Sequence, residues 1–183
     1  STDIFLHDTY FVVAHFHLIM GVAAIFGIFA ASYFWFPKMF GRHMNESLGK
    51  IHFLITFIGV YAIFMPMHFL GMEGSPRRYP ELTGFDFLEP LMSLHTFITV
   101  AAFITIAAQF LFVFNLFWSL FRGQKAEMNP WDCTTLEWTI PSPPPHDNFA
   151  GEEPIVYRGA YEYSVPGEPQ DFTMQTTPER TER

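Results

Sequence analysis

Three long apolar stretches, separated by short charged segments, set the first expectation for this chain. Residues 9–37, 51–72 and 90–121 contain no Asp, Glu, Lys or Arg. A helix needs about 20 such residues to cross the hydrocarbon core of a bilayer, so each stretch predicts one membrane-spanning helix. The first, from about Thr9 to Phe36, is expected to end where Pro37 and Gly41 break the pattern. The connection KMFGRHMNESLGK follows, with Asn45 and Ser47 as candidate caps of the second helix. That helix runs to about Gly71, and Pro66 is expected to kink it near its end. A loop rich in Gly, Pro and charge, MEGSPRRYPELTGFDFLEP, leads to the third helix, from about Leu91 to Phe121. The expected fold class is all-α and integral to the membrane, three transmembrane helices forming part of a larger bundle. Residues 1–123 make the transmembrane segment, and residues 124–183 an acidic, Pro-rich polar tail.

Composition supports this and relocates the charge. The chain of 183 residues is 50% hydrophobic and 19% aromatic, and only 15% of it is charged, against roughly 25% in soluble proteins. The net charge of −8 is not spread evenly: residues 1–123 hold 7 acids and 6 bases, the tail 11 acids and 4 bases. No basic footprint for nucleic acid is present. The single cysteine, Cys133, excludes an internal disulfide framework or thiolate cluster. With PSPPPH at 141–146 and few apolar runs, the tail is not expected to form a core by itself. Its WDCTTLEWTIPSPPP stretch is expected to be extended and partner-bound, with disorder increasing beyond it. The chain opens at Ser1, with no signal peptide or initiator Met, close to its most unusual residues. It therefore reads as the later part of something larger, whether a cleaved product, a split gene or a fragment.

Basic residues near helix ends set the expected orientation. Lys38, Arg42, Lys50, Arg122 and Lys125 share one side, whereas Arg77 and Arg78 alone occupy the other, among Glu73, Glu81, Asp86 and Glu89. The five-to-two margin places the first connection and the tail on the cytoplasmic or matrix side, and the N-terminus outside.

The candidate chemistry begins in LHDTYFVVAHFH, Leu6 to His17. Ionisable side chains inside a membrane span are costly and usually pair with or bind something. On a helix, positions i and i+2 point roughly 200° apart, so His15 and His17 cannot share one metal without unwinding the backbone. Two ligands, one on each side of the helix with Phe16 between them, satisfy both rings. The histidines lie about 10 Å into the span at roughly 1.5 Å per residue. His7–Asp8 and Arg77–Arg78 fall on the same outer side. A metal at depth with anionic groups at the surface describes haem, whose iron takes axial His and whose propionates take arginine. The adjacent arginines would each serve one of two haems. His7 and Asp8 offer nitrogen and oxygen ligands suited to Mg or Mn, incomplete without a partner chain or water. His52, His68 and His95 are read as hydrogen-bonded structural histidines, and the Met and Phe stripes as packing or lipid-facing surface.

These residues carry a resemblance. LHDTYFVVAHFH, WFPKMFG, KIHFLITFIGVY, HFLGMEGSPRRY and the later TTLEW and PSPPPH segments resemble the C-terminal third of subunit I of haem–copper cytochrome c oxidase, from Asp3 to about His146. The resemblance implies that His15 is the proximal ligand of the high-spin haem, where oxygen is reduced, and that His17 ligates the low-spin haem. It implies haems of the A type, a Mg or Mn site shared by His7 and Asp8 with subunit II, propionate contacts from Arg77 and Arg78, and Asp3 near a propionate. The implied partners are the N-terminal part of subunit I, subunits II and III, cytochrome c and the lipid membrane. The implied location is a bacterial plasma (inner) membrane or a mitochondrial inner membrane.

The departures matter equally. The family's three copper-ligating histidines, their neighbouring tyrosine and the second axial ligand of the low-spin haem are absent from this sequence. Copper would be held by ligands outside this chain, and the entrances of the family's proton pathways are missing. The resemblance implies part of a proton-translocating terminal respiratory oxidase, carrying electrons from cytochrome c to oxygen through both haems. A quinol oxidase of the same superfamily is the alternative, against which Asp8 speaks, because that subgroup often replaces the acid. A haem-binding electron-transfer or assembly protein without oxygen chemistry would suit the missing copper ligands. A transporter using histidines as a proton relay leaves the paired arginines unexplained.

Overall fold

Helices account for the whole apolar part of the chain in the computed structural model, which describes residues 2–178. A short helix α1 (Asp3–Leu6) precedes α2 (Tyr10–Phe16), which passes through a π-helical turn (His17–Gly21) into α3 (Val22–Phe40). Tyr10–Phe40 is thus one helical rod of 31 residues. Helix α4 (Glu46–Met72) follows, then a 3₁₀ turn (Asp86–Leu91), α5 (Met92–Arg122) and a last 3₁₀ turn (Leu136–Trp138). Three helices are long and apolar enough to cross a membrane, and there is no strand among the described residues. The chain is an all-α protein of the membrane-bundle kind.

The local chemistry explains most element ends. Thr9 caps α2, its Oγ1 accepting from Phe11 N at 3.2 Å, and Asn45 caps α4, its Oδ1 accepting from Leu48 N at 3.0 Å. The first long helix does not stop at Pro37. Pro37 has the φ a helix requires but no N–H to donate four residues back, and one further turn follows before Gly41 ends the helix at φ +65° with its N–H on Pro37 O at 2.8 Å. Helix α4 likewise runs without interruption through Pro66.

The chain divides into two compact units. The first comprises residues 1–31 and 45–117, with Ile63, Leu70, Ile98 and Ala101 at its centre. Glycine permits its closest contacts, for a Cβ on Gly71 would overlap the Phe11 backbone and one on Gly59 would meet the Thr105 hydroxyl. Polar groups in the same unit pair with one another. His52, 2% exposed, shares a 3.1 Å bond with Gln109 Oε1, while Gln109 Nε2 donates to Thr56 Oγ1 at 3.1 Å and Thr105 O at 2.8 Å.

The second unit comprises residues 32–44 and 118 onward. Its centre is Trp138, fully buried, with Phe34 edge-on at 5.2 Å between ring centroids. Lys38, 5% exposed, donates from Nζ to Met128 O at 2.9 Å and Ile140 O at 2.6 Å, and lies 5.2 Å from the Trp138 ring centre. Farther on, Tyr157 N donates to Gln175 O at 2.9 Å, Arg158 Nη2 to Met174 O at 2.8 Å and Gln175 N to Thr134 O at 3.2 Å. The tail is therefore tied down well past PSPPPH, contrary to the disorder its composition predicts. Backbone carbonyls and a few buried side chains supply what long apolar runs do not.

Candidate cofactor-binding site at the start of the first long helix

The two histidines of HFH sit on either side of a change in helical geometry. Phe16 (φ −70°, ψ −28°) and His17 (φ −69°, ψ −39°) keep helical backbone, so the Cβ directions of His15 and His17 diverge as helical spacing requires. From His17 the helix widens, and Val22 N–H reaches the His17 carbonyl five residues back. His17 Nδ1 lies 2.8 Å from Val13 O. A carbonyl can only accept, so Nδ1 holds the proton and the neutral ring leaves Nε2 as its basic nitrogen. The ring stacks on Phe64 with centroids 4.8 Å apart and planes 10° from parallel. His15 is exposed and makes no hydrogen bond among the described residues.

The segment before this helix is joined to the loop after α4. Thr9 and Pro76 form an isolated antiparallel bridge, Tyr10 N donates to Ser75 O at 3.0 Å and Arg77 N to Asp8 O at 3.0 Å. This pairing brings His7–Asp8 beside Arg77–Arg78 across nearly seventy residues. Arg77 grips Asp8 Oδ1 with Nε at 3.0 Å and Nη2 at 2.7 Å. Those bonds first, and the guanidinium charge second, hold the Asp8 carboxyl below the usual carboxylate range. Asp8 adopts the left-handed backbone region at φ +58°, as does Arg78 at φ +68°. His7 Nδ1 bonds Asp3 O at 2.9 Å, again leaving Nε2 as the basic nitrogen. Asp3 enters this arrangement through its carbonyl, and its side chain, like those of Arg78 and His7, is exposed.

The donor set fits haem in chemistry. Two imidazoles stand on separate faces of one helix, one with its tautomer already set, and Arg77 retains Nη1 after binding Asp8. His7 and Asp8 supply two donors for a hard divalent ion, and no group of three or more His, Cys, Asp or Glu is assembled for a metal among the described residues. The histidines read as structural all have partners: His52 on Gln109, His68 Nδ1 on Phe64 O at 2.9 Å, and His95 Nε2 on Ser75 Oγ at 3.1 Å. The sequence pattern singles out neither Phe64 nor Gln109, and does not reveal the burial of Lys38. For Gln109 the signal was a polar residue inside an uncharged run, whereas nothing distinguishes Phe64 among 23 phenylalanines.

Known proteins bear on this arrangement directly. The family profile of cytochrome c and quinol oxidase polypeptide I matches residues 1–106. An alternative cytochrome c oxidase subunit 1 from Bradyrhizobium diazoefficiens is 54% identical over 181 residues, 98% of this chain and 31% of the relative. A cytochrome c oxidase subunit 1 from Synechocystis is 47% identical over 176 residues, 95% of this chain and 31% of the relative. One from Bacillus subtilis is 40% identical over 181 residues, 93% of this chain and 28% of the relative. The chain thus spans a little under a third of the length of these curated relatives. It belongs to the family of cytochrome c and quinol oxidase polypeptide I.

Proposed function

We propose that this chain forms the haem-carrying C-terminal third of the catalytic subunit of a terminal respiratory oxidase, working from cytochrome c to oxygen with proton pumping. The observation that carries the reading is the state of HFH: His17 has its Nδ1 committed to Val13 O, so Nε2 is left to ligate, and His15 stands unengaged two residues before it. In this reading His17 holds the low-spin haem and His15 the high-spin haem, on opposite sides of α2. Bound in place, the haems and copper supply the electron transfer and oxygen reduction, the copper being held by ligands outside this chain. Val13 O keeps the His17 tautomer constant. Arg77 and Arg78 place positive charge where propionates would sit, with Asp3 close by. His7 and Asp8 offer a nitrogen and an oxygen to Mg or Mn, completed by subunit II. Because Arg77 shares Oδ1 of Asp8, the second carboxylate oxygen remains for the ion.

The rest of subunit I, subunits II and III and cytochrome c are the proposed partners. The membrane is a bacterial plasma membrane or a mitochondrial inner membrane, with the N-terminus outside. The family name covers quinol oxidases as well, and Asp8 is the residue that favours cytochrome c. Oxygen consumption by the purified complex decides between donors. Reduced cytochrome c is expected to sustain turnover and a quinol is not. Turnover with quinol alone would move the assignment to the alternative, and turnover with neither donor would refute an oxidase.

A further inference from the structure

We propose that Phe64 is a positioning residue that fixes the ring plane of His17, and so the orientation in which that imidazole meets its metal. The inference rests on His17 being the low-spin haem ligand. The hydrogen bond from Nδ1 to Val13 O, 2.8 Å long, restrains rotation of the ring about Cβ–Cγ but touches only one edge of it. The Phe64 face, 10° from parallel at 4.8 Å, covers the flat side of the ring and adds a second restraint on its plane. Phe16 lies nearer, at 4.2 Å, but is tilted by 33° and 40% exposed, so it confines the plane less.

Phe64 is itself held. It packs against the cluster of Ile63, Leu70, Ile98 and Ala101, and its carbonyl accepts from His68 Nδ1 at 2.9 Å. Helix α4 therefore presents a fixed flat surface to the His17 ring just past the end of α2, and the close approach of Gly71 to Phe11 keeps α4 and α2 in register. Outer contacts that orient a ligating histidine tune the metal it holds. Were His17 to hold a low-spin ferric haem, the g tensor of that haem would report the plane of the imidazole.

The test uses the assembled complex with Phe64→Leu, Phe64→Met and Phe64→Tyr, read by electron paramagnetic resonance of the oxidised low-spin haem. Leu and Met keep apolar bulk and lose the flat face, so both should displace the g tensor at unchanged haem content. Tyr keeps the face and should restore the wild-type signal. Loss of the low-spin haem alone from the Leu and Met variants also supports the proposal, because the failure is confined to the His17 side. A wild-type g tensor in Leu and Met overturns it, as does loss of both haems together, the mark of a packing role. His17→Leu, which cannot ligate iron, separates the two layers: if the low-spin signal survives that change, the ligand assignment itself is wrong, whatever Phe64 does.

Discussion

Replacing Lys38 by Met should loosen the tail while leaving the membrane helices in place. Lys38 donates to Met128 O at 2.9 Å and to Ile140 O at 2.6 Å, and its ammonium lies 5.2 Å from the centre of the Trp138 ring. Met is close in length and apolar, so the packing of the stem survives and the head-group interactions vanish. Hydrogen bonds from a charged donor contribute about 1.5–3 kcal/mol each, and a desolvated cation–π contact roughly 0.5–2 kcal/mol. Against these stands the penalty of burying the ammonium, several kcal/mol, which Met does not incur. The net loss of local stability is therefore about 1–3 kcal/mol, a rise of roughly 5- to 150-fold in the open population of the tail at about 1.4 kcal/mol per tenfold. Trp138 is fully buried, so chymotrypsin can cut after it only from an open form. The cleavage rate in membranes carrying the intact complex should rise by the same factor in Lys38→Met, with thermal stability of the helices unchanged. An unaltered rate would refute the assignment of Lys38 as the tie between helix end and tail.

Gly71→Ala sets a Cβ on the Phe11 backbone and should destabilise by about 1–3 kcal/mol as an overpacked contact, whereas Gly59→Ala meets a Thr105 side chain that can turn away and should cost less; thermal melts in detergent rank the two. Asp8 is held low by Arg77, so their pairing is present at neutral pH and is lost as pH falls through that depressed value; the carboxylate infrared band of labelled Asp8 should titrate below an ordinary Asp, and Arg77→Gln should raise it. If Arg78 meets a haem propionate as proposed, Arg78→Gln should lower that haem's midpoint potential, and a redox titration at wild-type values would rule out the propionate role. Growth in manganese should give a bound-ion resonance that His7→Ala and Asp8→Ala each remove with haem content unchanged.

Helix number and type were legible because charge is absent from three runs that nothing but hydrocarbon or protein can solvate. The first helix ends at Gly41, one of the two residues expected to break it, but passes through Pro37 despite the lost N–H donor, which the pattern alone does not reveal. His17 to Val13 O is a contact four residues back, within reach of helix arithmetic once His17 is placed on a helix. Its stack on Phe64 is not, since it depends on how α4 packs against α2. The Asp8–Arg77 grip spans 69 positions and arises from a backbone pairing that neither motif announces by itself. Lys38 was counted as one of five basic residues that orient the helices, and its burial is visible only when the tail closes over it.

The claim that two histidines on one helix serve two different haems is tested most directly by difference spectra of the complex with each histidine changed in turn. Reduced-minus-oxidised spectra, with and without carbon monoxide, separate a six-coordinate low-spin haem from one with an open position. His17→Leu should abolish or strongly shift the low-spin signal while carbon monoxide still binds, and His15→Leu should remove the carbon-monoxide-binding haem while the low-spin signal stays. Either substitution leaving both signals unchanged would contradict the assignment.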